Sequence, residues 1–202
     1  MGKRGSLMAG CGDLVIGQLE FYWDFHLWPR LQGLTDDEYL WEPAAGAWSV
    51  RPDASGRIVV DHEDPVPDPP PLTTIAWRLV HVGVGCFATR VSSFFGDGSV
   101  PDDADMFDPR HLPADLPGTA ADALEFLEHW YRRWNEAIRS LDEDALHQPL
   151  GPKGAYFADD TMLGLITHVN REAIHHGAEI CLLRDLYRAG LAEKRGDDRA
   201  VV

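Results

Sequence analysis

The stretch TMLGLITHVNREAIHHGAEICLLRDLYRAG, residues 161–190, predicts one long helix. Its apolar residues recur at spacings of three and four, which is the period of one face of an α-helix. We expect the helix to begin near Thr161 and to run to about Ala189, because Gly190 is a suitable C-terminal stop. The face defined by these spacings contains Met162, Leu165, Val169, Glu172, His176, Ile180, Leu183 and Tyr187. Two titratable residues therefore stand in the middle of an otherwise apolar stripe.

Three similar patterns precede this helix, and together they predict the fold class. We expect a first helix over residues 13–32, a second over 73–95 and a third that begins after Thr119. The clearest stripe, on the third helix, consists of Leu124, Leu127, Tyr131, Trp134, Ile138 and Leu141. The corresponding stripe of the first helix consists of Leu14, Gln18, Phe21, Phe25 and Trp28. Four long helices with extended connections predict an all-α protein, and more specifically a four-helix bundle.

The 202 residues are expected to form a single domain, with its core at about 13–190 and a flexible tail at 191–202. Between the first two helices, residues 51–71 read RPDASGRIVVDHEDPVPDPPP and include five prolines from Pro65 to Pro71. Proline breaks a helix, so this segment is not helical. Its residues 57–60 have the composition of a short strand. We interpret residues 51–71 as a proline-rich surface loop, with a lid over a binding site as the alternative.

Composition limits the partners and the compartment. There are 33 Asp and Glu against 18 Lys and Arg, and the net charge of −15 repels nucleic-acid phosphates and anionic lipid headgroups. We therefore expect no nucleic-acid partner and no membrane partner. The three cysteines are widely spaced and form no CxxC pair, which indicates a reducing compartment. Because no apolar stretch follows the basic residues at the N-terminus, we expect a cytoplasmic location.

Glu172 and His176 are the residues most informative about function. They are four positions apart, so their side chains lie on one helix face, and burial of either without a partner is costly. His81, in LVHVGVG on the second helix, is the natural partner. Two imidazoles and one carboxylate can bind a divalent metal and leave one position open, as in catalytic zinc sites. Nickel, manganese and iron accept the same nitrogen and oxygen donors.

Two other interpretations stay open. His81, Glu172 and His176 can instead form a buried polar network in a metal-free protein that binds a small molecule or fixes the packing of the helices. The surplus of tryptophans, among them Trp23 and Trp130, also fits a structural bundle that forms a homodimer.

Helical phase assigns the other titratable residues of the last helix. His168 and Glu179 lie close to Glu172 around the helix axis, at 3.6 residues per turn. We predict that Glu179 holds an imidazole in one tautomer. His168 is expected to support the site or to serve as an alternative ligand. His175 is expected to point between helices and has no assigned role.

Three segments resemble the DinB/YfiT-like superfamily. They are GAWSV before the second helix, TTIAWRLVHV with His81, and HHGAEICLLRDL with His176. The resemblance covers roughly residues 14–190, apart from the proline-rich segment. It implies a four-helix bundle whose metal site has one histidine on the second helix and an H-x3-H pair on the last.

The implied ligands fall on His81 and His176, whereas the middle histidine of the family pattern falls on Glu172. Because a carboxylate also binds zinc, nickel or manganese, we predict a metal site with altered preference, and loss of the metal is the alternative. The resemblance further implies a thiol S-transferase that uses mycothiol or bacillithiol, although other members are implied to be isomerases or hydrolases. We therefore expect a metal-dependent enzyme in which a divalent metal activates a low-molecular-weight thiol against a small-molecule substrate.

Overall fold

The structure is a computed structural model, and it describes residues 10–191. Its secondary structure is mostly helical, which agrees with the predicted all-α class. The four long helices, called first to fourth below, have these bounds: Cys11–Tyr22 continued by Trp23–Leu27 and Trp28–Leu31; Ile75–His81 continued by Val82–Ala88 and Thr89–Phe95; Ala120–Arg139; and Met162–Leu186 continued by Tyr187–Leu191. The segments Trp23–Leu27, Val82–Ala88 and Tyr187–Leu191 are π-helical. Apart from residue 191, the predicted tail lies outside the described residues.

Threonine caps fix where three of these helices begin. The Oγ1 atoms of Thr74, Thr119 and Thr161 each accept a hydrogen bond from a backbone N–H three residues later, at 3.1–3.2 Å. Such caps satisfy one of the unpaired donors in the first turn. The predicted starts of the second, third and fourth helices are therefore within two residues of the observed ones. Gly190 has a φ of 77°, the left-handed conformation expected where a helix stops.

The first and fourth helices run parallel to each other. Near their starts, Asn170 Nδ2 donates to the backbone oxygen of Val15 at 2.6 Å. Near their ends, Arg30 Nη2 lies 2.5 Å from Asp185 Oδ1. Both sequence positions therefore increase in the same direction.

The second and third helices are also parallel. The ring of Phe87 packs against Tyr131, and the ring of Phe95, eight residues on, packs against Trp134. Consecutive parallel helices need a connection that returns along a whole helix, which for 20 residues is about 30 Å. Residues 96–119 form this connection, and it is long enough to do so.

The second and fourth helices are antiparallel, and this determines which side chains meet. Arg78, at the start of the second helix, lies 3.0 Å from Glu179, near the end of the fourth. One turn further along, the rings of His81 and His176 are 4.7 Å apart. Further still, Arg90 and His168 line one cavity.

The buried face of the first helix differs from the predicted stripe. Leu14, Phe21 and Phe25 are 66%, 58% and 68% exposed. The residues that enter the core are instead Ile16, Leu19, Trp23, Leu27 and Leu31. Both faces of this helix are apolar, so periodicity alone does not select one. The spacing of four between the last four buried residues follows the wider π-helical turn at Trp23–Leu27.

The fourth helix is also rotated relative to the prediction. Its most buried residues are Ile166, Val169, Asn170, Ala173, Ile180 and Arg184. Glu172, which we expected in the middle of the buried stripe, lies at its edge and is half-buried, whereas His176 is buried. The two titratable residues therefore border the core instead of interrupting it.

The proline-rich segment contains a short antiparallel hairpin. Strands β1 (Val50–Pro52) and β2 (Ile58–Val60) pair with Val50 opposite Val60. The hairpin is tied to the second helix because Trp77 Nε1 donates to the backbone oxygen of Asp61 at 2.9 Å. Residues 65–71 have no regular structure and are mostly exposed. The prediction of a strand at 57–60 is thus confirmed, whereas the description as a loop holds only for the proline run.

Candidate metal centre

His81, Glu172 and His176 converge between the second and fourth helices. One ligating atom from each lies within 4.8 Å of the others. His176 Nε2 is 3.5 Å from Glu172 Oε2, and the His81 ring meets the His176 ring edge-on. His81 is the last residue before the π-helical segment Val82–Ala88. Such π-helical turns are frequent at functional sites, because they shift the direction of side chains relative to a regular helix.

Glu179 and Arg78 hold the other side of the His176 ring. Glu179 Oε2 is 2.7 Å from His176 Nδ1, and Arg78 Nε is 3.0 Å from the same carboxylate oxygen. Arg78 Nη1 also approaches Nδ1, at 3.2 Å. Because the carboxylate contact is the shorter one, we assign the proton to Nδ1, which then donates to Glu179. This leaves the Nε2 lone pair of His176 directed to the side of Glu172, where a ligand can use it.

Burial keeps His81 in its neutral form. The pKa of His81 is lowered from 6.5 to about 4, mainly by burial and to a smaller extent by the neighbouring His176 and Arg78. The charges of Glu172 and Glu179 raise the pKa of His81, but their effects are smaller. The His81 ring also stacks on Trp77, at 5.0 Å between ring centres. Neutral imidazole is the form that binds metals, so at pH 7 His81 is ready to do so.

His168 and His175 lie outside this group of three. His168 Nδ1 is 3.9 Å from Glu172 Oε1 and 2.6 Å from Arg171 Nη2. His168 is thus nearest to one oxygen of the Glu172 carboxylate, whereas His176 is nearest to the other. Burial lowers the pKa of His168. The prediction that His175 points between helices is wrong, because its side chain is 65% exposed. It contacts the solvent side of Glu179 at 3.4 Å.

Sequence reasoning missed the two arginines of the second helix. Arg78 and Arg90 stand among apolar residues, and an arginine in such a pattern is ordinarily assigned to the surface. Arg78 is one turn before His81, which is a usable signal, because residues three apart share a helix face. Cys86, on the same helix, is buried. Burial raises the pKa of its thiol to about 12, so it stays protonated.

An apolar cavity of about 480 Å³ opens on one side of His81. Its walls come from the hairpin, the second helix and the connection between the second and third helices. They include Ile58, Val60, Trp77, Val80, Val84, Leu112 and Leu116. The hairpin thus covers a cavity that ends at the candidate centre, which favours the alternative interpretation of residues 51–71 as a cover.

A second, smaller cavity of about 150 Å³ also adjoins His81. Glu172, Cys86, Arg90 and His168 line it. The centre therefore adjoins two cavities, one with apolar walls and one lined by charged and polar side chains.

Comparison with known proteins identifies the family. The sequence profile of the DinB superfamily matches residues 25–180, a range that includes His81, Glu172 and His176. The chain belongs to the DinB superfamily. The resemblance of the three segments is thereby confirmed at the level of the superfamily. Searches of the curated proteins and of the solved structures gave no match.

None of the helices in residues 10–191 combines the length and the hydropathy that a membrane span requires.

The residues that could hold a divalent metal form two overlapping groups among the described residues: His81 with Glu172 and His176, and His175 with His176 and Glu179. The first group joins two helices and adjoins both cavities, which makes it the better candidate.

Proposed function

We propose that this DinB superfamily protein is a metal-dependent enzyme, and that it is a thiol S-transferase. The observation that carries the proposal is the convergence of His81, Glu172 and His176 from two antiparallel helices. We also propose that the four long helices form the four-helix bundle of the superfamily. The pairing of the first helix with the fourth, and of the second with the third, supports this arrangement.

The donor set suits a divalent cation. Two imidazoles and one carboxylate match the ligands of catalytic zinc sites, and nickel or manganese accepts them as well. Glu179 would orient His176 through Nδ1, and Arg78 would hold Glu179 in place. Three protein ligands leave room for an exogenous ligand.

The remaining residues determine which chemistry the site can support. A bound divalent metal lowers the pKa of a thiol that coordinates it and thereby supplies thiolate at neutral pH. Cys86 cannot supply this thiol, because it is buried and its pKa is raised. The thiol would therefore be a separate small molecule, of the mycothiol or bacillithiol type. The apolar cavity beside His81 would hold the electrophilic substrate and exclude water from it.

Metal analysis tests the first step of the proposal. Protein purified without any metal-affinity column should contain close to one equivalent of zinc, nickel or manganese. The substitution Glu172→Gln keeps the shape but removes the charge, and it should lower the metal content and the metal-induced rise in melting temperature. Glu143→Gln is the matched control, because Glu143 forms an exposed pair with His147, four residues away, at 3.8 Å. Absence of metal from the wild-type protein, together with no thermal response to zinc, nickel or manganese, would disprove the proposal.

A second experiment tests the reaction class. The metal-loaded protein is incubated with a low-molecular-weight thiol and an apolar aromatic electrophile, and loss of free thiol is measured over time. We expect thiol consumption to depend on metal and on Glu172. If metal binds but thiol is not consumed faster than in buffer, the S-transferase assignment fails while the metal site stands.

The alternative function is a metal-free small-molecule-binding protein. The specific observation in its favour is that Glu179 lies 2.7 Å from His176 Nδ1 and 3.0 Å from Arg78 Nε, so these side chains form a polar cluster by themselves. In that case Glu172→Gln would lower the stability without any effect on metal content. The same measurements therefore separate the two functions.

Assembly and location complete the proposal. We expect a cytoplasmic protein without a nucleic-acid partner, on the grounds of the charge of −15 and the unpaired cysteines. We also propose a homodimer. The predicted tryptophan interface has no support from Trp23, which is buried and stacks on Tyr131. The exposed face of the first helix, with Leu14, Phe21 and Phe25, is the better interface.

A further inference from the structure

Arg90 is a buried cation without a charged partner. It is only 9% exposed, and its Nη1 donates to the backbone oxygen of Met106 at 2.8 Å. Its Nε is buried and has no hydrogen-bond partner among the described residues. The guanidinium carbon lies 5.2 Å from the ring centre of Phe107. One carbonyl and one aromatic ring leave Nε without a partner and the positive charge without a carboxylate.

Two other arginines in residues 10–191 are buried or half-buried, and each pairs with a carboxylate. Arg184, which is 1% exposed, pairs with Glu38 at 3.1 Å. Arg78 pairs with Glu179 at 3.0 Å. For Arg90, no carboxylate of the described residues lies within 4.0 Å. Burial lowers the pKa of its guanidinium, which reflects the cost of this position. A buried unpaired charge destabilises a fold, so the presence of Arg90 at this position indicates a functional role.

The position of Arg90 indicates what this role is. It lines the cavity of about 150 Å³ together with His81 and Glu172 of the candidate centre. It also lines an outer cavity of about 700 Å³, which it shares with His168 and Arg171. Asp159 and Asp160 line the outer cavity too, but neither pairs with Arg90.

We propose that Arg90 is the anchor of an anion-binding subsite, which holds a carboxylate or phosphate group of the small molecule that reaches the His81, Glu172 and His176 centre. An oxyanion is the ligand that a guanidinium binds most strongly, through charge-assisted hydrogen bonds. The cavity of about 150 Å³ has room for a small anionic group beside the centre, and the outer cavity of about 700 Å³ has room for the rest of the molecule. The apolar cavity of about 480 Å³ beside His81 then takes the uncharged reaction partner.

Small anions test this subsite directly. Sodium acetate, inorganic phosphate and neutral acetamide are titrated against protein freed of metal with a chelator, which is then removed by dialysis because it is itself an anion. Ionic strength is held constant with sodium chloride. We expect acetate, phosphate or both to raise the melting temperature with saturation, and acetamide to have no effect. The anion that binds tells a carboxylate ligand from a phosphate ligand.

Substitutions then assign the binding to Arg90. Arg90→Met should weaken anion binding about tenfold or more, because a charge-assisted contact is lost. Arg132→Gln is the control, since Arg132 is exposed and paired within the third helix, and it should bind like the wild type. If Arg90→Met does not fold, Arg90→Lys retains a charge without the planar fork and should bind detectably but more weakly.

Two outcomes would overturn the subsite. One is no saturable response of the wild type to acetate or phosphate. The other is an equal response of the wild type and the Arg90 variants. Because the titration uses metal-free protein, absence of metal binding would refute the proposed function and leave this result intact.

Discussion

His81 illustrates at the scale of single residues how burial prepares a group for its chemistry. Its ring is held between Trp77 and His176, and burial keeps the pKa at about 4. In the unfolded chain the pKa returns to about 6.5. At a pH between these two pKa values, the unfolded state binds more protons than the folded state, so protonation of His81 favours unfolding.

The first prediction follows from this difference. In metal-free protein, protonation of His81 does not change the free energy of unfolding above pH 6.5. As the pH falls from 6.5 to 4, this protonation lowers the free energy of unfolding by roughly 3 kcal/mol in total. Replacement His81→Gln should therefore flatten the decline of the unfolding free energy over this interval. Urea denaturation at a series of pH values measures it.

His147→Gln is the control, because His147 is exposed and lies far from the centre in the chain. It should leave the pH dependence as in the wild type. An unchanged slope in His81→Gln would show that His81 is not held neutral by the fold.

The candidate site could be predicted only in part from its residues. The spacing of four between Glu172 and His176, and the position of His81, are visible in the sequence because helical phase depends on numbering alone. The burial of Arg90 and the pairing of Arg78 with Glu179 depend on which helix packs opposite, and on its direction. No local pattern contains that information.

At the scale of elements, the predicted buried face was wrong on the first and fourth helices, both of which carry apolar residues on more than one side. A stripe counted at 3.6 residues per turn drifts when a wider turn is inserted, and the first helix contains one at Trp23–Leu27. The third helix contains none and has the regular spacing, and its predicted stripe is the one that packs into the core. Helix existence and type were thus predictable, whereas the buried face was predictable on the third helix but not on the fourth, which is regular over Met162–Leu186.

The second prediction concerns Gly83, which lies in the π-helical turn after His81. A Cβ atom at this position would lie 2.7 Å from Cε1 of Phe126 on the third helix, which is too close without a shift. Gly83→Ala should therefore lower the unfolding free energy by about 1–3 kcal/mol, the usual cost of overpacking. Chemical denaturation measures the effect.

Gly17→Ala serves as the comparison. Gly17 is in the regular part of the first helix, and no atom lies within 4 Å of a Cβ built there. Alanine should stabilise the helix at this position by up to about 1 kcal/mol. If Gly83→Ala were as stable as Gly17→Ala, Phe126 would have moved aside, and close approach would not be the reason for glycine at 83.

At the scale of the whole molecule, the directions of the helices create the site. Antiparallel packing of the second and fourth helices brings His81 to His176, and the long connection after the second helix supplies Leu112 and Leu116 to the apolar cavity. The hairpin of the proline-rich segment closes the same cavity. These walls are distant in sequence and carry no shared motif. The cavity therefore could not be predicted, although each of its elements was recognisable.

The same packing leaves an apolar face of the first helix uncovered, and the last prediction concerns this face. Leu14, Phe21 and Phe25 are spaced by seven and four, so they share one side of the helix, and the rings of Phe21 and Phe25 are 4.9 Å apart. A two-fold contact between two copies would bury this face against itself. The wild-type protein should therefore sediment as a dimer, and Phe21→Gln with Phe25→Gln should sediment as a monomer.

Both residues are exposed, so the double variant should keep the helical content and the melting behaviour of a folded monomer. Val66→Gln with Leu72→Gln is the matched control, because these two apolar residues are similarly exposed, at 53% and 58%, but belong to the region before the second helix. This control should remain dimeric. A monomeric wild type, or a double variant at Phe21 and Phe25 that still dimerises, would rule out the first helix as the interface, and the metal centre would be unaffected because none of its three residues lies on that helix.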